Sequence, residues 1–184
     1  QVTRGLGKTG VVGSLSKGDS PRTIGLRADM DALPIEETTG LPWASTAPGK
    51  MHACGHDGHT TILLAAAKYI ASPACQFNGT VHMIFQPAEE AIGGADLMIK
   101  DGLFEQFPCE RIFGLHNMPG LPVGKLGFYA GNFMASADTV KITITGYGGH
   151  GAHPERTVDP IVAGAALVMA LQSIVARNVP PGET

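Results

Sequence analysis

The sequence has little charge and nowhere concentrates it. Its 13 Lys and Arg stand against 16 Asp and Glu, a formal net charge of -3. No basic stripe forms of the kind that tracks a phosphate backbone or adheres to an anionic membrane. Nucleic acid and membrane surfaces are therefore not expected partners. No apolar run reaches the roughly 18 residues needed to span a bilayer, and the first residues lack the charged-then-apolar layout of a secretion signal. A cytoplasmic location is expected. The three cysteines, Cys54, Cys75 and Cys109, are too few and too irregularly spaced for a disulfide framework. Repeats and low-complexity segments are also missing. What remains, 43% hydrophobic residues with 16% charged, is ordinary globular composition able to bury a core. The chain opens at Gln1 without Met and stops at Thr184, soon after a Pro-Pro-Gly break, and is expected to be a section of a longer protein.

Residues 23–28 (T-I-G-L-R-A) read as a short buried strand that delivers Asp29 and Asp31 at its carboxyl end, before Pro34. A Gly/Pro-rich loop leads to residues 51–59 (M-H-A-C-G-H-D-G-H) and then to residues 60–70 (T-T-I-L-L-A-A-A-K-Y-I), apolar nearly all round, the pattern of a helix buried between layers. Residues 80–86 (T-V-H-M-I-F-Q) form a second strand pattern ending in Pro87 and the pair Glu89 and Glu90. Gly93 and Gly94 open a helix that runs through Lys100 to a stop at Gly102. Residues 111–115 are a further strand running into His116 and Asn117. Strands alternating with helices imply an α/β domain with a mostly parallel sheet flanked by helices, in which ligands gather beyond the carboxyl ends of the strands. Near Met134 the character changes. Residues 139–145 (T-V-K-I-T-I-T) alternate with period two, and residues 158–176 read as a long apolar helix. A second, smaller α+β module is expected, dividing the chain into 1–134 and 135–184.

Cys54 and His56, two apart around Gly55, can both face one ion because glycine permits the tight backbone path. Thiolate, imidazole and carboxylate suit zinc, manganese, cobalt or nickel rather than calcium. The plain alternative is a buried Cys and a loop His. Of the adjacent acids Glu89 and Glu90, one can bind metal while the other acts as general base on an activated water, the alternative being a solvated acidic turn. His116 is a third candidate, although a lone His at a strand end is more often structural. His52, His59 and His82 read as structural, with Asp57 as an orienter of a ligand imidazole. A redox thiol at Cys54 lacks a resolving Cys nearby.

Five motifs in unbroken order resemble the M20 metallopeptidase family: G-L-R-A-D-M-D-A-L-P, M-H-A-C-G-H-D-G-H-T, Q-P-A-E-E, G-L-H-N-M-P and G-Y-G-G-H-G-A-H-P-E-R-T-V-D-P-I. Within it they are most similar to the branch of hippurate hydrolases, N-acyl-amino-acid amidohydrolases and plant auxin-conjugate hydrolases. The resemblance implies two divalent ions, with Cys54, His56, Glu90 and His116 as ligands and Glu89 as the general base. It also implies that Asp31 supports a ligand His, while Asp29 stands where other branches carry a ligand His and is not expected to bind metal. His150 matches a family His that reaches the substrate carbonyl from the lid, often from the partner subunit, and His153 is the less favoured neighbour. The implied substrate is a small N-acyl amino acid, and the second module is implied to be a lid that also forms a homodimer. Family members carry one more ligand His beyond the lid. This chain shows none, so it is expected to be inactive alone, or a metal-binding or dimerising fragment of such an enzyme.

Overall fold

The computed structural model describes residues 1–91, 93–131 and 139–179. They fall into two compact units, Gln1–Gly120 and Leu121–Thr184. The expected boundary between 134 and 135 lies outside the described residues.

The first unit is built on one five-stranded sheet. In chain order its elements are β1 (Val2–Leu6), β2 (Gly10–Lys17), β3 (Thr23–Asp29), α1 (His56–Ala71), β4 (Gly79–Gln86), α2 (Gly94–Lys100), α3 (Leu103–Gln106) and β5 (Arg111–Gly114). The strands lie in the order β1-β2-β4-β3-β5. β3 runs parallel to both β4 and β5, whereas β2 is antiparallel to β4 and to β1. The sheet is therefore mixed, which corrects the expectation of a mostly parallel one. The antiparallel half comes from an N-terminal hairpin of mixed polar and apolar residues, turned at Gly7 and Lys8, both with positive φ.

β4 lies centrally and alternates its side chains between two cores. Val81 and Met83 pack with Ala28 and with Leu63 of α1 on one face, while Ile84 packs with Leu6, Val12, Met98, Leu103 and Phe107 on the other. On that second face a polar line crosses between β2 and β4: Ser14 Oγ meets His82 Nδ1 at 2.8 Å, and Ser16 meets Thr80 at 2.7 Å. His82 is buried, with the Phe107 ring edge-on at 5.5 Å, so its reading as structural fits its surroundings. The fully buried Met98 lies so close over the hairpin that a Cβ at Gly7 would meet its Cγ at 2.8 Å.

α1 differs from the helix expected between two layers. His56, His59 and Leu63 are buried, whereas Ile62, Leu64 and Tyr69 are at least half exposed. The helix covers the sheet with one face only. No helix among the described residues is long and apolar enough to cross a membrane.

The second unit, taken by itself, contains a bridge between Tyr147 and Val158, a 3-10 turn at Pro154–Arg156 and α4 (Pro160–Leu171). α4 is shorter than residues 158–176. It begins where Asp159 Oδ1 accepts from Ile161 N at 2.8 Å with Pro160 in the first turn. It ends where Ser173 and Ile174 bond back three residues rather than four. Residues 139–145 form no strand: a period-two pattern becomes a strand only when a neighbour supplies the ladder, and among the described residues of this unit only the single bridge at Tyr147 does so.

Candidate metal centre

The carboxyl ends of β3, β4 and β5 and the amino end of α1 bring together the residues singled out by spacing. β3 ends in Asp29, and Met30 N then bonds to Gln86 O at 2.9 Å, joining the exits of β3 and β4. α1 starts at His56 because Gly55 adopts φ 83°, a left-handed conformation that favours glycine. A three-residue step along the first turn places His56 and His59 on one helix face. Beyond β4, Ala88 also has positive φ, 50°, and turns the chain so that Glu89 and Glu90 follow. Gly94 N bonds to Ala88 O at 2.9 Å and closes this turn.

His56 is 1% exposed, and only one of its two nitrogens has a hydrogen-bond partner. Nδ1 lies 3.1 Å from Asp31 Oδ1, and Asp31 Oδ2 accepts from Glu90 N at 3.0 Å. Asp31 therefore ties the imidazole to the Glu89–Glu90 turn. Nε2 is buried and has no hydrogen-bond partner. A buried, unpaired ring nitrogen is costly unless something else fills its lone pair. Glu90 Oε1 at 3.9 Å and Asp29 Oδ2 at 3.7 Å flank it. Ligand atoms of Cys54, His56 and His116 lie within 4.8 Å of one another, as do those of His56, Glu89 and Glu90. Cys54 Sγ and His116 Nε2 are 3.3 Å apart. Two donors on one tetrahedral ion, at about 2.3 Å for sulfur and about 2.0 Å for nitrogen, would stand about 3.5 Å apart. The residues thus fit a divalent cation in spacing, donor chemistry and the lone pair left open on His56.

Electrostatics point the same way. Burial would raise the pKa of Asp31, but backbone N–H groups of Glu90 and Glu89 and the His56 ring outweigh it and hold the carboxyl below its ordinary range. Asp29 is also lowered, its burial being outweighed by His59, Arg27 and His56. The Cys54 thiol is pushed up to about 11, by desolvation first and then by Glu90, Glu89 and Asp29. A thiol held protonated by anionic neighbours is a poor redox nucleophile. A cation among the same groups would reverse that balance and favour the thiolate.

Asp57 is exposed in the first turn of α1. The structure does not bring it to an imidazole: the carboxylates at His56 and His59 are those of Asp31 and Asp29. From sequence His59 reads as structural and Asp29 as no ligand, while Arg27 and Asn117 carry no assigned role. His59 is buried, with Nδ1 2.7 Å from Asp29 Oδ1 and Nε2 accepting from Asn117 N at 2.9 Å. Both its nitrogens are occupied, which separates it from His56. The one signal in the sequence was the three-residue step in H-D-G-H.

In the second unit His150 lies in an open cleft with Gly149, Pro154, Thr157 and Val158. Its Nδ1 accepts from Ala152 N at 3.1 Å, so the neutral ring carries its proton on Nε2, a donor with no hydrogen-bond partner among the described residues. His153 Nδ1 is instead engaged by Glu155 Oε1 at 3.2 Å.

The model for peptidase family M20/M25/M40 matches residues 25–183. A hippurate hydrolase of Campylobacter jejuni is 56% identical over 98% of this chain, which spans 47% of that relative. A solved structure from methicillin resistant Staphylococcus aureus superposes on all of this chain and 49% of its own length, with a TM-score of 0.78 and 37% identity. The crystal structure of Bacillus subtilis YXEP protein, described as a dinuclear metal binding peptidase from the M20 family, covers 67% of this chain and 35% of its own, with a TM-score of 0.62 and 42% identity. The chain spans about half or less of the length of these proteins. A family match over residues 25–183, which take in most of β3, all of β4 and β5 and the whole cluster of candidate donors, shows that this chain belongs to peptidase family M20/M25/M40.

Proposed function

We propose that the complete protein hydrolyses the amide bond of N-acyl amino acids, hippurate-like compounds among them, with Glu89 as general base. The observation that carries this reading is the buried, unpartnered His56 Nε2 set among Cys54, His116, Glu89 and Glu90. The name of the Campylobacter jejuni relative supports the substrate class, and that of the Bacillus subtilis structure supports a pair of ions. Cys54, His56, Glu90 and His116 would hold divalent ions (zinc, manganese, cobalt or nickel), which supply Lewis-acid polarisation and a water acidic enough to lose a proton near neutral pH.

The remaining steps belong to the chain's own residues. The Glu89 carboxylate takes the proton of the attacking water and passes it to the leaving amine nitrogen. Asp31 fixes the orientation of His56 and, through Glu90 N, the turn that carries Glu89. His150, with its proton on Nε2, is assigned the hydrogen bond to the acyl oxygen as negative charge develops there. The second unit is assigned the role of lid and homodimer contact.

Glu89→Gln in the complete protein removes the base and keeps the shape. Turnover of benzoyl-glycine is expected to fall by about 10²–10⁴-fold while bound metal, measured by elemental analysis, stays at the native stoichiometry. Native turnover in this variant would overturn the assignment.

A further inference from the structure

The segment after β5 poses a positioning problem. β5 has four residues and its side chains are exposed, as are those of residues 115–120. His116 therefore stands on an exposed stretch, with the His59 ring edge-on to its own at 4.6 Å and the His56 ring at 6.0 Å, and a ligand imidazole must be held in both place and tautomer. Among the described residues, the hydrogen bonds of His116 go to Cys54 Sγ at 3.3 Å and, from Nδ1, to Asn117 O at 2.6 Å. The second bond fixes the tautomer, because a carbonyl accepts only from a protonated Nδ1, which leaves the Nε2 lone pair free beside Cys54.

Asn117 is itself pinned. Its N–H donates to His59 Nε2 at 2.9 Å, and its side-chain Oδ1 lies 2.7 Å from the same nitrogen, a position from which the amide donates only when turned over to bring Nδ2 there. A Cβ at Gly55 would meet that amide at 2.5 Å, so the amide fills the space beside the missing side chain. With Nε2 accepting, the proton of His59 sits on Nδ1 and points to Asp29 Oδ1 at 2.7 Å. Asp29 is 1% exposed, and its other oxygen accepts from Arg27 Nη1 at 2.8 Å. Arg27 Nε in turn donates to Gln86 Oε1 at 2.8 Å at the end of β4. A neutral imidazole protonated on Nδ1 satisfies the bond from Asn117 N and the bond to Asp29 in this line.

We propose that His59 is a positioning residue: through the Asn117 backbone it places the His116 ring, and Asp29, Arg27 and Gln86 hold it against the central strands. The inference rests on the reading that Cys54 and His116 hold a cation. His59 binds no metal in this scheme. It converts the rigidity of the buried strand ends into the position of a donor on an exposed loop.

The two nitrogens of His59 can be separated by substitution, since the amide of Asn reaches about as far as Nδ1 and that of Gln about as far as Nε2. His59→Asn keeps a donor for Asp29 and loses the acceptor for Asn117. His59→Gln keeps the acceptor. In the complete protein, affinity for cobalt(II), measured by chelator competition, is expected to fall about 10–100-fold in His59→Asn and to be largely restored in His59→Gln. Native affinity in both, or equal loss in both, would overturn the proposal. Nitrogen-15 NMR of the unaltered protein gives a second test that needs no variant. His59 and His116 are both expected as the Nδ1–H tautomer, and a proton on His59 Nε2 would overturn the relay. If the native protein binds no cobalt at all, it is the reading of the centre that fails.

Discussion

His56 and His150 both follow a glycine, and their surroundings share almost nothing else. His56 is buried at the start of a helix, and its Nδ1 partner, Asp31, comes from 25 residues away. His150 is exposed, and its Nδ1 partner is the N–H of Ala152, two residues on in its own turn. The same contrast runs through the two units. Gln1–Gly120 holds two apolar clusters and five polar side chains buried to 5% exposure or less. In α4 no residue is buried, and Ile161, Val162, Val168 and Met169 are more than half exposed. Burial allows a unit to leave a lone pair open at a fixed point and hold neighbouring carboxylates ionised around it. A locally closed turn sets a tautomer and little more. On this view the first unit is built to hold charge, and the second to present a donor.

Substitutions that cross this divide test it, and the largest effects are expected on the buried side. His56→Ala should abolish both metal binding and turnover in the complete protein. His150→Ala should lower turnover by about 10²–10³-fold, the usual cost of losing one oxyanion donor, with metal content unchanged. Loss of metal in His150→Ala, read by elemental analysis, would erase the distinction. Stability should divide in the same way. Met98→Ala opens a cavity beneath the hairpin and is expected to cost about 2–5 kcal/mol, whereas Val168→Ala on exposed α4 should stay within about 0.5 kcal/mol; urea unfolding measures both.

The smallest effect expected is a pH slope. Burial lowers the pKa of His82 below its ordinary 6.5. As pH falls through about 6.5 the unfolded chain takes up this proton first, so stability should decline from there down to the folded pKa and be unaffected by His82 above it. His82→Gln should flatten that part of the slope in urea midpoints compared between pH 7.5 and pH 5.5. An unchanged slope would assign the dependence to other groups.

Most strands and helices of the first unit were legible because each carries its own signal. β3, β4 and β5 are apolar runs punctuated by Pro, Gly or acids, and α2 is bracketed by glycines. The β1–β2 hairpin was not. V-T-R-G-L and G-V-V-G-S-L-S-K mix glycine and polar residues, and they are strands because β4 pairs with β2 about 65 residues along the chain. The same reason turned an expected parallel sheet into a mixed one. In the site, Cys54, His56, Glu89, Glu90 and His116 could be picked out by residue type and spacing. Their supports could not, with the exception of Asp31, which the family resemblance supplied. Asp29 meets His59 across 30 residues and Asn117 meets it across 58. Which of two histidines in one helical turn keeps a lone pair open is decided by those distant partners.

The strand order also has a consequence for synthesis. β3 lies between β4 and β5, so a chain emerging from its amino end has β1 to β4, Cys54, His56 and the Glu89–Glu90 turn in hand before β5 exists. His116 is the last of these donors to be made, and it enters along an edge of β3 that is already in place. The socket proposed to receive it, His59 held by Asp29, is by then complete, so this candidate donor meets a finished mould.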